Sequence, residues 1–388
     1  MRKVVDAVVW LVGWCVWGTL APLLLFFGRT WRSRTVGGIA AISSIAASLL
    51  GLGSTINPYS HTAEFFMVAL LLLSCGVVVI ALAVLLLWSV PKPIACTHGW
   101  SFTGPPQGWW MRLGTAFLDE RDWLWLGVHL GTRLDFRLAK HRRVEIRDAV
   151  IAQLEAMRGS GLYHRCPSPW AGMLWCWPWH IRTQPCLVFT PPQRTGAALI
   201  FLHGHGGNTL FQAYLWREFA IRYGVVVACP SYGYGQWEHR ASATVVAECV
   251  RYLADDHGLA RHRMTLCGLS QGGAGVGVAA AAMPDVFDSL VFLSPTMEPA
   301  VLASPGFRRV ESRVLVLHGA ADRHVTLQSV QHGLAALERC GADVTAHLEP
   351  DADHGWFLTH TQAVQGKIAQ FMKLERVESS HPPEFNLP

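Results

Sequence analysis

Between residues 197 and 348 the chain repeats one pattern that few folds can accommodate. Short apolar runs stand at 197–202 (AALIFL), 225–229 (VVVAC), 263–267 (RMTLC), 289–293 (SLVFL), 313–317 (RVLVL) and 344–348 (VTAHL). Segments with helical spacing of apolar residues lie near 209–223, 242–257, 271–283 and 326–340, and a last one near 360–375. Runs of five or six apolar residues are too short for buried helices and lack the alternation of a half-exposed strand, so they read as strands covered on both faces. Strand and helix in alternation then predict an α/β fold, a mostly parallel sheet with helices on both sides. MLWCWPWH and QPCLVFT, before the first run, read as a hairpin.

The front of the chain has a different character. Hydrophobic residues make up 51% of the 388 positions and charged ones only 15%, and the mean hydropathy is +0.26. That composition excludes a disordered chain and points to a soluble domain joined to a membrane part. Residues 65–90 carry no charge over a length that more than crosses a bilayer of roughly 30 Å. Residues 36–56 are also uncharged, with Gly, Ala and Ser spaced for close helix contact, and read as a second span or as a buried helix. Residues 7–27 follow Met1, Arg2 and Lys3 like a signal peptide, but no A-x-A site follows and Arg29, Arg32 and Arg34 come next. They read as a retained helix, bent or inserted shallowly at Pro22.

Charge distribution orients these segments. Residues 1–90 hold five basic against two acidic residues, 91–185 twelve against seven, and 186–388 fifteen against eighteen. Basic residues beside apolar segments suit an anionic leaflet, and no nucleic-acid-binding pattern is present. Placing the Arg29–Arg34 loop inside puts the domain after residue 90 in the cytoplasm. Ten cysteines without a CxxC pair, Cys15, Cys75, Cys229 and Cys267 among them, read as free thiols in a reducing compartment. The expected organisation is a membrane region over 1–90, a basic connector or cap over 91–160, a catalytic domain over 161–375 and a flexible tail over 376–388. The stretch 91–185 contains nine of the 17 Trp, which read either as an interfacial belt or as packing for a cap. Within it, HRRVEIRDAVIAQLEAMR (141–158) places Val144, Val150, Ile151, Leu154 and Met157 at helical spacing.

Four motifs carry the chemistry. Gly268-Leu269-Ser270-Gln271-Gly272-Gly273 sits between a strand run and a small-residue helix, where a tight turn pushes the serine hydroxyl outward and glycines remove clashing side chains. His203-Gly204-His205-Gly206-Gly207-Asn208 follows the first strand run, and so glycine-rich a loop can aim backbone N–H groups at an oxyanion together with that of Gln271. His203 itself reads as a structural loop residue. His-x-His also begins a metallohydrolase motif, but the Asp-x-Asp-His run that would follow is missing, so neither a metal nor another cofactor is expected. Asp322 in HGAADRHV and His354 in DADHGWF each follow a strand, at the sheet end where open parallel sheets build their sites. Asp351 and Asp353 crowd His354 in its own loop, which makes them poor partners for it. Glu298, after the 289–293 run, competes with Asp322 for the role of acid.

HGHGGN, GLSQGG, HGAADRHV and DADHGW together resemble the α/β-hydrolase superfamily over about 170–375, on the esterase, dienelactone-hydrolase and prolyl-oligopeptidase-like side. The loop CPSYGYGQW is similar to that superfamily as well. The resemblance implies Ser270 as nucleophile, His354 as general base and acid, Asp322 as orienting acid, and an oxyanion hole from the backbone N–H groups of His205 and Gln271. It implies a serine hydrolase, with a carboxylic ester, from a small molecule or a lipid, as the expected substrate. A peptidase, thioesterase or acyltransferase would use the same residues, and a non-catalytic membrane scaffold is the competing class. The segment between Ser294 and Arg313 is too short for the large lid of many lipases. The expected partners are the bilayer and the acyl substrate, and the sequence leaves oligomeric state open.

Overall fold

The computed structural model describes residues 99–103, 120–158, 186–206, 209–233 and 235–377. The expected membrane segments before residue 91, the Trp-rich stretches 104–119 and 159–185, and the tail after 377 lie outside the described residues. Among the described residues no helix is long and apolar enough to cross a membrane.

Eight strands form one sheet: β1 (Trp100–Thr103), β2 (Cys186–Phe189), β3 (Ala198–Leu202), β4 (Val226–Pro230), β5 (Met264–Leu269), β6 (Phe287–Leu293), β7 (Arg313–Gly319) and β8 (Val344–Glu349). Their spatial order is β1-β2-β4-β3-β5-β6-β7-β8. β1 and β2 run antiparallel to their neighbours, and all pairings from β4 to β8 are parallel. The helices are α1 (Glu120–Leu134), α2 (Lys140–Arg158), α3 (Thr209–Tyr223), α4 (Ser242–Asp255), α5 (Gln271–Ala282), α6 (Pro299–Leu302), α7 (Leu327–Arg339), α8 (Trp356–Thr359) and α9 (Thr361–Phe371).

The apolar strands are buried on both faces because successive side chains feed two separate cores. Along β3, Leu199 and Phe201 join one core while Ala198, Ile200 and Leu202 join the other. The first core is closed by α2, α3 and α9 through Leu154, Trp216 and Ile368, the second by α4, α5 and α7 through Val250, Val276 and Leu337. The chain leaves β3 for β4 on one side, then crosses back so that β5 lies on the other. Such a reversal opens a crevice beyond the carboxyl ends of the strands flanking it. The glycine-rich loop after β3 and Ser270 after β5 stand at that crevice.

The first arm of the expected hairpin, MLWCWPWH, lies outside the described residues, and the second arm contains β2, whose edges pair with β1 (Trp100↔Phe189) and β4 (Leu187↔Cys229). Three sequence expectations change. The stretch expected to act as connector or cap also supplies an edge strand of the sheet and a helix of its core. On α2 the inward stripe is Ile146, Val150, Leu154 and Met157, and Val144 is exposed. Val144 lies six residues before Val150, about 240° around the helix, whereas Ile146 lies a full turn before it. The last expected helix, near 360–375, runs from Thr361 and ends earlier, at Phe371, two residues before Lys373 adopts a positive φ of 55°.

Of the expected features that can be located, Trp100 packs inward on Phe189 with centroids 4.7 Å apart, and Trp125 packs against the first core. Cys186, Cys229, Cys249 and Cys267 are buried free thiols.

The placement of α2 in the first core generates a stability prediction. Leu154→Ala removes a side chain that is 2% exposed, and should lower the unfolding free energy by about 2–5 kcal/mol. Denaturant titration of the purified protein reads this directly. A loss of under about 0.5 kcal/mol, the range of a surface substitution, would detach α2 from the core.

Candidate active site

Ser270 takes its conformation from backbone packing on both sides. A Cβ on Gly268 would sit 2.2 Å from the carbonyl oxygen of Gly272, and a Cβ on Gly272 would sit 2.2 Å from that of Leu202. Only glycine allows the first turn of α5 to press so closely on the ends of β5 and β3. The chain therefore reverses over a single residue, and Ser270 is held at φ 53°, ψ −117°, a strained combination for a residue with a side chain. Its N–H donates to Leu293 O at 2.9 Å, and its carbonyl accepts from Gly273 N at 2.9 Å and Thr296 N at 2.8 Å. These three bonds hold the strained turn, leaving the hydroxyl to point away from the sheet.

His354, in the loop between β8 and α8, meets that hydroxyl with Nε2 3.1 Å from Ser270 Oγ. Its other nitrogen, Nδ1, lies 2.7 Å from Asp322 Oδ2. Asp322 follows β7, and its second oxygen accepts from the backbone N–H groups of His324 at 2.7 Å and Val325 at 3.0 Å. Burial pushes the Asp322 pKa up, but the hydrogen bond and charge of His354 together with those two N–H groups outweigh it, so the carboxyl lies below its ordinary value. An ionised carboxylate only accepts, so Nδ1 carries the proton and Nε2 is left to accept from the serine hydroxyl. Glu298 is exposed at the start of α6, and Asp322 is the carboxylate bonded to His354 Nδ1.

The glycine-rich loop is positioned by His203. Its Nδ1–H donates to Gly204 O at 2.8 Å, and its Nε2 accepts from Tyr232 N–H at 3.0 Å. Its own carbonyl accepts from Trp237 Nε1 at 2.9 Å. The imidazole thus ties the loop after β3 to the loop after β4. The bond from Tyr232 requires the neutral ring, and burial lowers its pKa to about 4. A Cβ at Gly204 would come within 3.4 Å of Ser270 Cβ, which places this loop against the serine. His205 is exposed, and Gly206 has a φ of 105°. Gln271 begins α5, so its N–H has no acceptor within the helix. Gly207 lies outside the described residues.

Sequence reasoning passed over several neighbours. His318, the last histidine before the Asp322 loop, is fully buried, and burial lowers its pKa. His324 stacks on His354 with centroids 4.9 Å apart and planes 28° apart. Arg142, on α2, donates to Asp353 through Nε at 2.8 Å and Nη2 at 3.0 Å, directly beside His354. The two histidines stood in the quoted HGAADRHV motif, but nothing in the sequence marked Arg142, which reaches its partner across 211 residues. Among the described residues no cluster of three or more His, Cys, Asp or Glu could hold a metal ion.

The strand order and the strand–serine–helix elbow are those of an α/β-hydrolase fold. No known protein family matches the chain, and no curated protein matches it either. Solved structures are similar to it over about half of its length. The Francisella virulence factor BioJ is 12% identical with a TM-score of 0.42, covering 49% of this chain and 81% of that one. A putative dienelactone hydrolase from Klebsiella pneumoniae is 18% identical with a TM-score of 0.42, covering 49% and 93%. An acylaminoacyl peptidase from Pyrococcus horikoshii is 13% identical with a TM-score of 0.39, covering 52% of this chain. The match spans 41% of that peptidase's length.

His203 gives a pH prediction. Its folded pKa of about 4 lies below the ordinary 6.5, so between those values the unfolded chain binds a proton that the folded chain does not. The stability owed to the neutral ring is intact above about pH 6.5 and is lost as pH falls toward 4, by about 3 kcal/mol in total. Comparing denaturant unfolding of the parent and His203→Gln across this window isolates the imidazole from the carboxylates that titrate nearby. The substituted protein should show the shallower slope, and equal slopes would mean that His203 is not held neutral.

Proposed function

We propose that this chain is a membrane-anchored serine hydrolase that cleaves carboxylic esters through an acyl-enzyme. The observation that supports it most is the unbroken line from the strained Ser270 hydroxyl through His354 to Asp322. In this reading Ser270 Oγ attacks the ester carbonyl while His354 Nε2 takes its proton. Asp322 holds Nδ1–H in place and offsets the charge of the imidazolium that forms. The backbone N–H groups of His205 and Gln271 receive the developing oxyanion. The tetrahedral intermediate collapses, His354 returns its proton to the departing alcohol, and the acyl group remains on Ser270. Water, deprotonated by the same nitrogen, then releases the acid and restores the serine.

Membrane anchoring rests on the uncharged run 65–90, and the cytoplasmic placement of the site rests on the Arg29–Arg34 loop. A site tethered to a bilayer meets acyl esters that partition into it, so lipid-borne esters are the substrates that such an anchor would favour.

Ser270→Ala should abolish labelling by a fluorophosphonate and lower ester hydrolysis by about 10⁶. Asp322→Asn should cost about 10⁴ in kcat by allowing the wrong tautomer of His354. Glu298→Gln, at an exposed position away from His354, should stay within about twofold, since no transition-state contact is lost. Labelling of the Ser270→Ala variant at the parent level would refute the nucleophile, and a larger loss from Glu298→Gln than from Asp322→Asn would refute the acid.

Topology is tested separately in intact cells. A cysteine introduced at Tyr59 should react with an impermeant maleimide from outside, and one introduced at Ser380 should react only after permeabilisation. Labelling of position 380 in sealed cells would put the catalytic domain on the other side of the membrane.

A further inference from the structure

We propose that Asp135 and His324 form a second histidine–carboxylate pair that positions the imidazole of His354, so that the α1–α2 helix pair completes the site. The inference rests on the serine-hydrolase reading above and names residues that reading does not use. His324 Nε2 lies 2.6 Å from Asp135 Oδ2, a contact that joins positions 189 residues apart. The other oxygen of Asp135 accepts from Arg137 N–H at 3.0 Å, and Asp135 N–H donates to Gly131 O at 2.8 Å. The carboxylate is therefore fixed by its own turn before it reaches His324.

The histidine is fixed as firmly. Its backbone N–H donates to Asp322 Oδ1, its ring edge donates to Asp135, and its face lies on His354. Among the described residues its Nδ1 is buried without a hydrogen-bond partner. A carboxylate only accepts, so His324 Nε2 carries a proton in this contact. The imidazole face against His354 covers one side of the base. The charged and titratable groups around this stack are Asp135 from the α1–α2 turn, Asp322 and His354 from the site, and buried His318 from β7.

The same helix pair also holds the residues on either side of His354 in the chain. Arg142 forks onto Asp353, whose Oδ1 also accepts from Gly355 N–H at 3.0 Å. A Cβ on Gly355 would meet Ile146 Cδ1 at 2.3 Å, so α2 touches the backbone immediately after His354. Asp135 and His324 are the members to test, because each side chain is 24% exposed and can be changed without leaving a buried charge unpaired.

Asp135→Ala in the full chain should lower kcat on a water-soluble ester by about 10- to 100-fold, with KM within about twofold and the unfolding midpoint nearly unchanged. Asp135→Asn, which still offers an oxygen to Nε2–H, should recover most of kcat. Both variants remove a negative charge near His354, so the acid limb of kcat/KM should move to lower pH. His324→Ala should match Asp135→Ala, and the double variant should be no worse than either alone, because the two act as one unit. A kcat within about twofold of the parent in Asp135→Ala, or losses that multiply in the double variant, would overturn the proposal. The hydrolase reading fails by a different sign, namely a parent that neither cleaves esters nor takes up fluorophosphonate, or a Ser270→Ala variant that still labels. Even then the pair is decided by NMR titration of His354 in histidine-labelled protein, where Asp135→Ala should lower the midpoint and an unmoved midpoint would rule out the coupling.

Discussion

Helix α5 begins so close to the ends of β3 and β5 that no side chain fits between them, and the rest of the site depends on that contact. Gly272 lies over the carbonyl of Leu202, and Gly268 lies under the carbonyl of Gly272. With both positions reduced to backbone, the strand turns into the helix across Ser270 alone. The strain at φ 53° is then an outcome of packing that the surrounding bonds from Leu293, Gly273 and Thr296 over-determine. The same closeness continues along α5, where a Cβ on Gly275 would lie 2.8 Å from Trp237 Cβ, so the helix of small residues is what lets the β4 loop approach. That loop in turn carries the N–H and indole donors that fix His203. The serine and the glycine-rich loop are therefore parts of one backbone-packed unit, built on central strands that are buried on both faces.

The histidine and aspartate sides are held in another way. β7 and β8 lie toward the sheet's far edge, and β8 is largely exposed. A Cβ on Gly319 would lie 2.2 Å from Ala352 O, so the loops after these strands also meet through backbone, and polar side chains position the groups they carry. Asp322 is bonded by its own loop through two N–H groups, His324 by Asp135, and Asp353 by Arg142. The half of the site that carries the Ser270 hydroxyl is held mainly by glycine contact. The half that carries His354 is oriented by hydrogen bonds, whose geometry is specific but whose energies are modest.

How much of this could be read from the sequence follows from the range of the interactions. Strands β3 to β7 were legible because burial on both faces writes itself as an apolar run, the exposed β8 was legible from its place in the strand–helix alternation, and the elbow was legible because its glycines stand close together in the chain. Ser270, Asp322 and His354 could each be placed at a strand end, and the spatial meeting of His354 with Asp322 rather than Glu298 needed coordinates. β1 was missed because Trp100–Thr103 is four residues long and gains its place only by pairing with β2 across more than 80 positions. The partners of β2 were not legible for the same reason, since an apolar run does not declare which strands will take its edges. On α2, the apolar pattern gave the helix but put Val144 on the inward stripe, whereas contact with the β8–α8 loop goes to Ile146.

That contact joins α2 to a loop about 200 residues later in the chain. Ile146 and Arg142 lie one turn apart on α2, so the apolar contact with Gly355 and the ionic contact with Asp353 come from a single helical face. Asp135 sits five residues before the start of that helix and reaches the Asp322 loop. One short helix pair thus spans both loops that feed His354, and its inner stripe of Val150, Leu154 and Met157 anchors it in the same core as α3 and α9. A displacement of α2 by one residue would rotate that face by about 100° and remove both contacts together. The packing of α2 in the core and the orientation of His354 are therefore a single structural variable, set by residues that lie before the expected catalytic domain.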